Sequence, residues 1–426
     1  MQATAEEQTQ ESSQTDLTHS DNGKPVLVEP DLEFIRALSK RGGDLFKKCM
    51  QCGTCSATCA ISPDPKPFPS KEMAWAAWGM KDRLLRDPDV WLCFHCNDCS
   101  TRCPRGARPG DVLSAIRQES VIYHSFPRFL GRWVNTPKFI PFLLGIPILL
   151  LSLALYLKDP IEKALGISNF TGDRIIYNYS NLFPHWLLNS FFLILSVLVF
   201  FIMLIGIRRF WFDLKTMAGQ AGYSKNTKSL MPSIFTTLKN IIIHKNFDKC
   251  TTAHTRYSAH MLVFFGFIAL SMVTLWVITT GFNPLIKSDF VYPFGFWSPW
   301  KLLANLGGLS LLGGLCLMIG DRYRDPEHTS KGSYFDWTLI SLLFIVTLTG
   351  FITEILHYVR LEPHRHLAYF AHLMFICTLI LYLPYSKFAH LVYRTIAMIY
   401  AEYSGRNEES PAGEADKNNE TGKNNE

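Results

Sequence analysis

From Phe139 onward the chain carries six apolar stretches, near 139–157, 187–207, 257–280, 302–320, 334–356 and 367–389, separated by polar connections. Each is close to the ~20 residues that an α-helix needs to cross a bilayer, so the pattern predicts six transmembrane helices. Ahead of Phe139 the pattern changes. Met73, Trp75, Ala76, Trp78, Leu84 and Leu85 predict a helix. A second follows Pro109 and Gly110, where Asp111 stands at a capping position and Val112, Leu113, Ile116 and Ile122 recur at helical spacing. Residues 1–30 are rich in Gln, Thr, Ser and Glu, and Glu408–Glu426 is acidic and Asn-rich; both are expected to be disordered tails. No signal peptide is visible in the first of them. The expected fold is all-α: a tail at 1–30, a small helical domain at 31–125, a transmembrane domain at 126–406 and a tail at 407–426.

Charge orients this arrangement. Lys and Arg crowd the approach to the first span (Arg105, Arg108, Arg117, Arg128, Arg132, Lys138). They also crowd the connection after the second (Arg208, Arg209, Lys215, Lys225, Lys228, Lys239, Lys245, Lys249, Arg256), whereas the connections after the first, third and fifth spans are poorer in them. By the positive-inside rule the small domain and both tails are cytoplasmic, as in a multi-pass protein of a bacterial or archaeal inner membrane. The net charge of +6 is then a topology signal, and no basic surface interleaved with aromatics points to nucleic acid.

The small domain holds the chemistry. Cys49, Cys52, Cys55 and Cys59 repeat the spacing of Cys93, Cys96, Cys99 and Cys103, C-x-x-C-x-x-C-x-x-x-C in each run, with Pro104 after the second. Three thiolates in a tight loop hold three corners of a cubane, and a distant cysteine supplies the fourth. The crossed arrangement gives one [4Fe-4S] cluster to Cys49, Cys52, Cys55 and Cys103, and a second to Cys59, Cys93, Cys96 and Cys99. Ala60, where the first run would carry proline, departs from the usual pattern. Zinc knuckles need four ligands and leave the repeated third and fourth cysteines unexplained, and a disulfide framework needs an oxidising compartment. Cys250, Cys316 and Cys377 stand apart and read as small buried hydrophobes.

Histidines in the spans supply the second chemistry, because a ligating side chain at membrane depth is costly. His372 and His390 are eighteen residues apart in the last span. On an unbroken helix they share a face about 27 Å apart, so one helix could serve an outer and an inner haem b, although Pro384 lies between them. At the matching depth His260 pairs with His390 for the inner haem. For the outer haem His372 needs a partner from another element, and His357 is the first choice ahead of His364, His366 and His185. Glu354, late in the fifth span beside His357, is a candidate proton relay for quinol oxidation. Arg360, Glu362 and Arg365 are expected to pair with one another in the outer loop. Each histidine alone could equally be an interfacial side chain with a satisfied hydrogen bond.

The tandem cysteine runs followed by the stretch RPGDVLSAIR resemble the small iron–sulfur subunit of heterodisulfide reductase, and residues 187–390 resemble the cytochrome b subunit of respiratory nitrate reductase. In the latter fold one helix carries a histidine at each end and an earlier helix carries two; here Leu270 stands ten residues after His260. The fusion of both parts is similar to the C-subunit family of quinone-interacting membrane-bound oxidoreductase complexes. That resemblance implies a helical dicluster ferredoxin-like domain on a six-helix cytochrome b bundle, with two [4Fe-4S] clusters and one or two haems b. It further implies menaquinone as substrate, cytoplasmic flavin- and iron–sulfur-containing partner subunits, and service to adenylylsulfate reductase in sulfur metabolism. A membrane anchor of a heterodisulfide-reductase-like complex fits the same ligands. A non-redox membrane protein with a zinc-binding module is the rival of another class.

Overall fold

The computed structural model describes residues 29–63, 66–165, 179, 182–220, 228–243, 254–282, 294–324, 332–361 and 364–406. The expectations for the two tails (all but residues 29 and 30), for Cys250 and Glu362, and for Lys225, Lys245 and Lys249 fall outside them. Among the described residues there is no strand, and the fold is all-α.

The small domain is built from short helices around one long one. Helices α1 (Leu32–Leu38), α2 (Thr54–Ala57), α3 (Ser70–Ala77), α4 (Lys81–Arg86), α5 (Asp89–Leu92) and α6 (Asp98–Thr101) surround α7 (Pro109–His124), whose Val112, Leu113 and Ile116 are fully buried. The single helix expected across residues 73–85 is two, α3 and α4, because the chain turns at Gly79 with φ +66°, a conformation that glycine adopts without strain. The cap expected at Asp111 is also different. Arg108, at φ 46°, is the N-cap of α7, and Asp111 in the first turn receives the Arg108 Nε at 2.6 Å.

A short helix α8 (Arg128–Val134) leads into the membrane domain. There α9 (Ile140–Leu165), α10 (His185–Gln220), α12 (His254–Phe282), α13 (Pro299–Arg324), α14 (Tyr334–Val359) and α15 (His364–Leu381) include the six segments long and apolar enough to span a bilayer. Between α10 and α12 lies α11 (Leu230–Ile242), packed on the last helix, α16 (Ala389–Tyr403). The sixth span is shorter than its hydropathy suggests. Helix α15 stops at Leu381, a 3₁₀ turn covers Leu383–Tyr385, and Ser386 is extended before α16 begins. Pro384 supplies no N–H to continue the ladder. Tyr385 fixes the break by donating its hydroxyl to the Phe126 carbonyl at 2.6 Å, while its own carbonyl accepts from Asn135 Nδ2 at 2.8 Å. His372 and His390 therefore do not share one helix face, and the 27 Å arithmetic does not apply.

The core does not stop at the sequence boundary near residue 125. Trp91 of the small domain stacks on Tyr393 of α16 (centroids 5.4 Å apart) and meets Phe210 of α10 edge-on at 6.0 Å. All three side chains are buried in one cluster that also contains Val112, Ile116 and Tyr400. Burying aromatics of this size contributes about 1.5–3 kcal/mol each, so the cysteine domain is held firmly against the ends of α10 and α16.

Candidate functional site

Both cysteine runs fold identically in backbone. Gln51 and His95 have positive φ (60° and 56°), as do Gly53 and Asn97 (73° and 74°), and each second pair opens a one-turn helix, α2 or α6. Asparagine is one of the few non-glycine residues that visit this region readily. The repeated pair of left-handed turns curls three cysteines of each run around a common point.

Two pockets result. One is lined by Cys49, Cys52, Cys55 and Cys103, and the other by Cys59, Cys93, Cys96 and Cys99. These are the crossed sets expected from the spacing, each assembling three cysteines of one run and the last cysteine of the other. Backbone N–H groups already aim at sulfur: His95 N donates to Cys93 Sγ and Ala107 N to Cys103 Sγ, both at 3.3 Å. Burial pushes the Cys55 thiol up to about 11, with Cys49 adding to it, and pushes Cys59 up to about 11. Cys99 is raised for the same reason, whereas Thr54 hydrogen-bonding lowers exposed Cys52. Four convergent sulfurs per pocket, with amide donors around them, fit a [4Fe-4S] group; ligation there requires thiolates, so cluster binding must release protons.

The surroundings of the two pockets differ. At the pocket of Cys59, Cys93, Cys96 and Cys99, the Cys93 carbonyl accepts from Arg117 Nη2 at 3.0 Å and from Arg394 Nη1 of α16 at 3.1 Å. The Arg394 guanidinium also lies 4.2 Å from the centroid of the Phe94 ring. His95 pairs with Asp111 at 3.3 Å. At the other pocket Met50, Gln51 and Cys52 are exposed.

Near these pockets is a cluster the sequence reading missed. Glu72, Asp87 and Asp89 are buried together, and Lys71 reaches all three, at 3.5, 3.1 and 2.5 Å. Arg406, 2% exposed, comes from beyond α16 to pair with Asp89 and donates to the Lys66 carbonyl at 3.1 Å. Burial and the neighbouring Asp87 hold the Glu72 carboxyl well above the usual range, and Asp89 is raised for the same reasons. Sequence offered no signal that Arg406 joins them, because it lies more than 300 residues from its partners. His124 was missed likewise: it is fully buried, hydrogen-bonded to the Ser120 carbonyl at 2.8 Å and paired with Asp213 of α10 at 3.1 Å.

Of the membrane histidines, His390 opens α16 one turn before Arg394, with Nδ1 2.5 Å from the Lys387 carbonyl oxygen. Burial first, then Lys387, holds its imidazole well below the ordinary value, and His260 of α12 is among the near groups that add to this. A neutral ring is the form that ligates a metal. The outer pair is not assembled. His372 places Nδ1 3.1 Å from Thr349 Oγ1, and its ring lies against Gly350, where a Cβ would come within 3.1 Å. His357 is two turns further along α14, about 10 Å away, with its ring tilted on Tyr179 at a centroid distance of 5.4 Å. Its Nδ1 is buried with no hydrogen-bond partner among the described residues. His366 meets the edge of the same tyrosine, while His364 and His185 are exposed. Glu354 is tied to α13 by Lys301 at 3.1 Å and Asn305 at 3.2 Å. Arg365 is buried beneath the Tyr179 ring rather than set in an open loop.

Comparison with known proteins covers both halves. The family model of citrate utilization protein B matches residues 169–412, and that of the 4Fe-4S dicluster domain matches residues 46–107. The chain is 36% identical over 91 residues to the C subunit of the H(2):CoB-CoM heterodisulfide,ferredoxin reductase of Methanothermobacter marburgensis, covering 21% of this chain and 49% of the relative. It is 34% identical over 92 residues to a protein of Archaeoglobus profundus described as like the C subunit of heterodisulfide reductase, again 21% of this chain and 49% of the relative. The chain thus spans about half the length of these relatives. Citrate utilization protein B of Escherichia coli is 24% identical over 396 residues, covering 88% of this chain and 92% of the relative. No solved structure matches. The molecule therefore joins an iron–sulfur module like the C subunit of heterodisulfide reductase to a multi-pass helical domain.

Proposed function

This chain belongs to the citrate utilization protein B family, and from that premise we propose that it is the membrane subunit of a quinone-dependent oxidoreductase complex. It exchanges electrons between menaquinone in the bilayer and cytoplasmic flavin- and iron–sulfur-containing partner subunits. The observation that carries this reading is the seam at α16. One helix begins with His390, and one turn later its Arg394 holds the carbonyl of Cys93. When bound, [4Fe-4S] clusters and b-type haem supply one-electron transfer; the protein supplies ligands, orientation and a low dielectric.

In this reading Cys49, Cys52, Cys55 and Cys103 hold one cluster, and Cys59, Cys93, Cys96 and Cys99 the other. His260 and His390 bind the inner haem. His372 is retained as an outer ligand, and because His357 lies two turns away, its expected pairing with His372 is not adopted. Glu354, paired with Lys301 and Asn305, is positioned to accept a proton near His357. In keeping with the orientation expected from the basic loops, the cysteine module faces the cytoplasm.

The physiological partner follows the resemblance to sulfur-metabolising complexes, with adenylylsulfate reductase receiving the electrons. The match to citrate utilization protein B over most of the chain favours a second reading, in which the soluble partner acts in carboxylate utilisation instead. A reduced-minus-oxidised spectrum with haem and iron quantitation on the purified protein tests the common core. Wild type is expected to show b-type bands and iron, and His260→Ala and His390→Ala each lose the same haem. Protein containing zinc without iron, and lacking haem bands, would overturn it.

A further inference from the structure

We infer that the face over the pocket of Cys49, Cys52, Cys55 and Cys103 is the docking surface for the acidic face of a soluble redox protein, and that the other pocket faces the membrane. This rests on the electron-transfer reading above and adds which pocket meets the partner and by what chemistry. Two runs with the same backbone present opposite surroundings. Residues 93–100 contain no exposed side chain, so that among the cysteine-run residues lining this pocket Ala60 is the exposed one, and Arg394 and Arg117 anchor the Cys93 carbonyl. In the first run Met50 is 58% exposed, and Gln51 and Cys52 are exposed beside it.

Four exposed cations belong to the segments that form that pocket. Arg105 lines the pocket itself, Lys47 and Lys48 immediately precede Cys49, and Arg102 immediately precedes Cys103. Among the described residues none of the four is neutralised in an ion pair, whereas Arg108, between Ala107 and Pro109 of the same pocket, is paired with Asp111. Asp44 is the exposed acid on the approach to Cys49, leaving the rim strongly positive. An exposed methionine within a rim of unpaired cations is the form of a transient electron-transfer interface: an adaptable apolar contact at the centre, and long-range attraction that steers an acidic partner into register. A partner seated there exchanges one electron with the pocket's metal group, the donor being oxidised as the acceptor is reduced.

The test uses full-length protein in nanodiscs and two soluble probes, an acidic bacterial ferredoxin and basic cytochrome c, with association rates measured at low and high salt. Wild type is expected to bind the ferredoxin, more slowly as salt rises. Lys47→Glu/Lys48→Glu/Arg105→Glu is expected to slow ferredoxin association by roughly tenfold or more and to speed that of cytochrome c. Arg36→Glu/Lys40→Glu, which alters exposed cations lining neither pocket, is expected to leave both rates unchanged. The milder Lys47→Gln/Lys48→Gln must slow ferredoxin in the same direction, which guards against a folding defect in the triple variant. Equal ferredoxin rates in wild type and both rim variants would overturn the proposal, as would an equal loss in the Arg36/Lys40 variant. Iron per chain is measured on every sample: iron retained with rates unmoved sinks the docking surface alone, and iron missing from wild type sinks the electron-transfer reading instead.

Discussion

The two cysteine pockets are copies in spacing and backbone, yet one is tied to α16 and the other is flanked by exposed side chains. At the first the Cys93 carbonyl is held by two arginines, one of them from α16, while the second shows a methionine, a glutamine and a cysteine to solvent. The difference teaches that a repeated metal-binding motif fixes what is bound and leaves the direction of access to whatever packs around it. Different neighbours around the same ligands are the means by which a protein sets two otherwise similar centres apart.

The largest expected effect comes from removing ligands one pocket at a time. Cys49→Ser and Cys93→Ser should each lose about half of the bound iron. Cys93→Ser should also loosen the seam with α16, seen as faster hydrogen exchange in α16 that Cys49→Ser does not cause. Equal exchange in the two variants would erase the distinction between the pockets. Next is Arg406→Ala, which removes a buried cation from Asp89 at the start of the segment leading to Cys93. A buried pair broken from one side costs about 3–5 kcal/mol, whereas Arg105→Ala, at an exposed side chain of the other pocket, should leave the melting temperature within error. Arg394→Ala follows, with the loss of a charged donor to the Cys93 carbonyl worth about 1.5–3 kcal/mol. Redox titration should show one cluster potential displaced and the other unmoved.

The smallest effect is in pH dependence. The folded-state value of Glu72 lies well above the 4.5 of the free group. Below 4.5 both folded and unfolded chains hold the proton, and the full stability is present. As pH rises from there toward the raised folded value, the unfolded chain alone releases it, and stability falls. Glu72→Gln, which has no proton to lose, should melt like wild type near pH 4 and at a higher temperature near pH 8. A variant that melts lower at pH 8 would show the carboxylate to be stabilising when charged.

Most of what could be read ahead of the structure came from period and spacing. Six spans followed from apolar length, and each cysteine run from a local motif, the fourth cysteine of each crossed set coming from the other run more than thirty residues away. Where the reading missed, the deciding interactions were distant. The helix expected to carry both His372 and His390 is broken by Pro384, and the break is held by Tyr385 against Phe126 and Asn135, some 250 residues earlier. His357 shares a helix with Thr349 but not its level, and only the docking of α15 shows that His372 meets Gly350 instead. The Glu72, Asp87 and Asp89 cluster looks like ordinary surface charge in the sequence, and only the fold places Arg406 inside it.

By itself the sequence determined that this protein spans a membrane with helices and gathers eight cysteines into two sets of four, because helix length and ligand spacing are local properties of a chain. Tertiary structure alone decided which set meets α16, where His372 packs on α14 and where Arg406 is buried. Those outcomes depend on contacts between separate segments, in two of the three cases hundreds of residues apart, and no local pattern encodes which of two equivalent loops will meet α16.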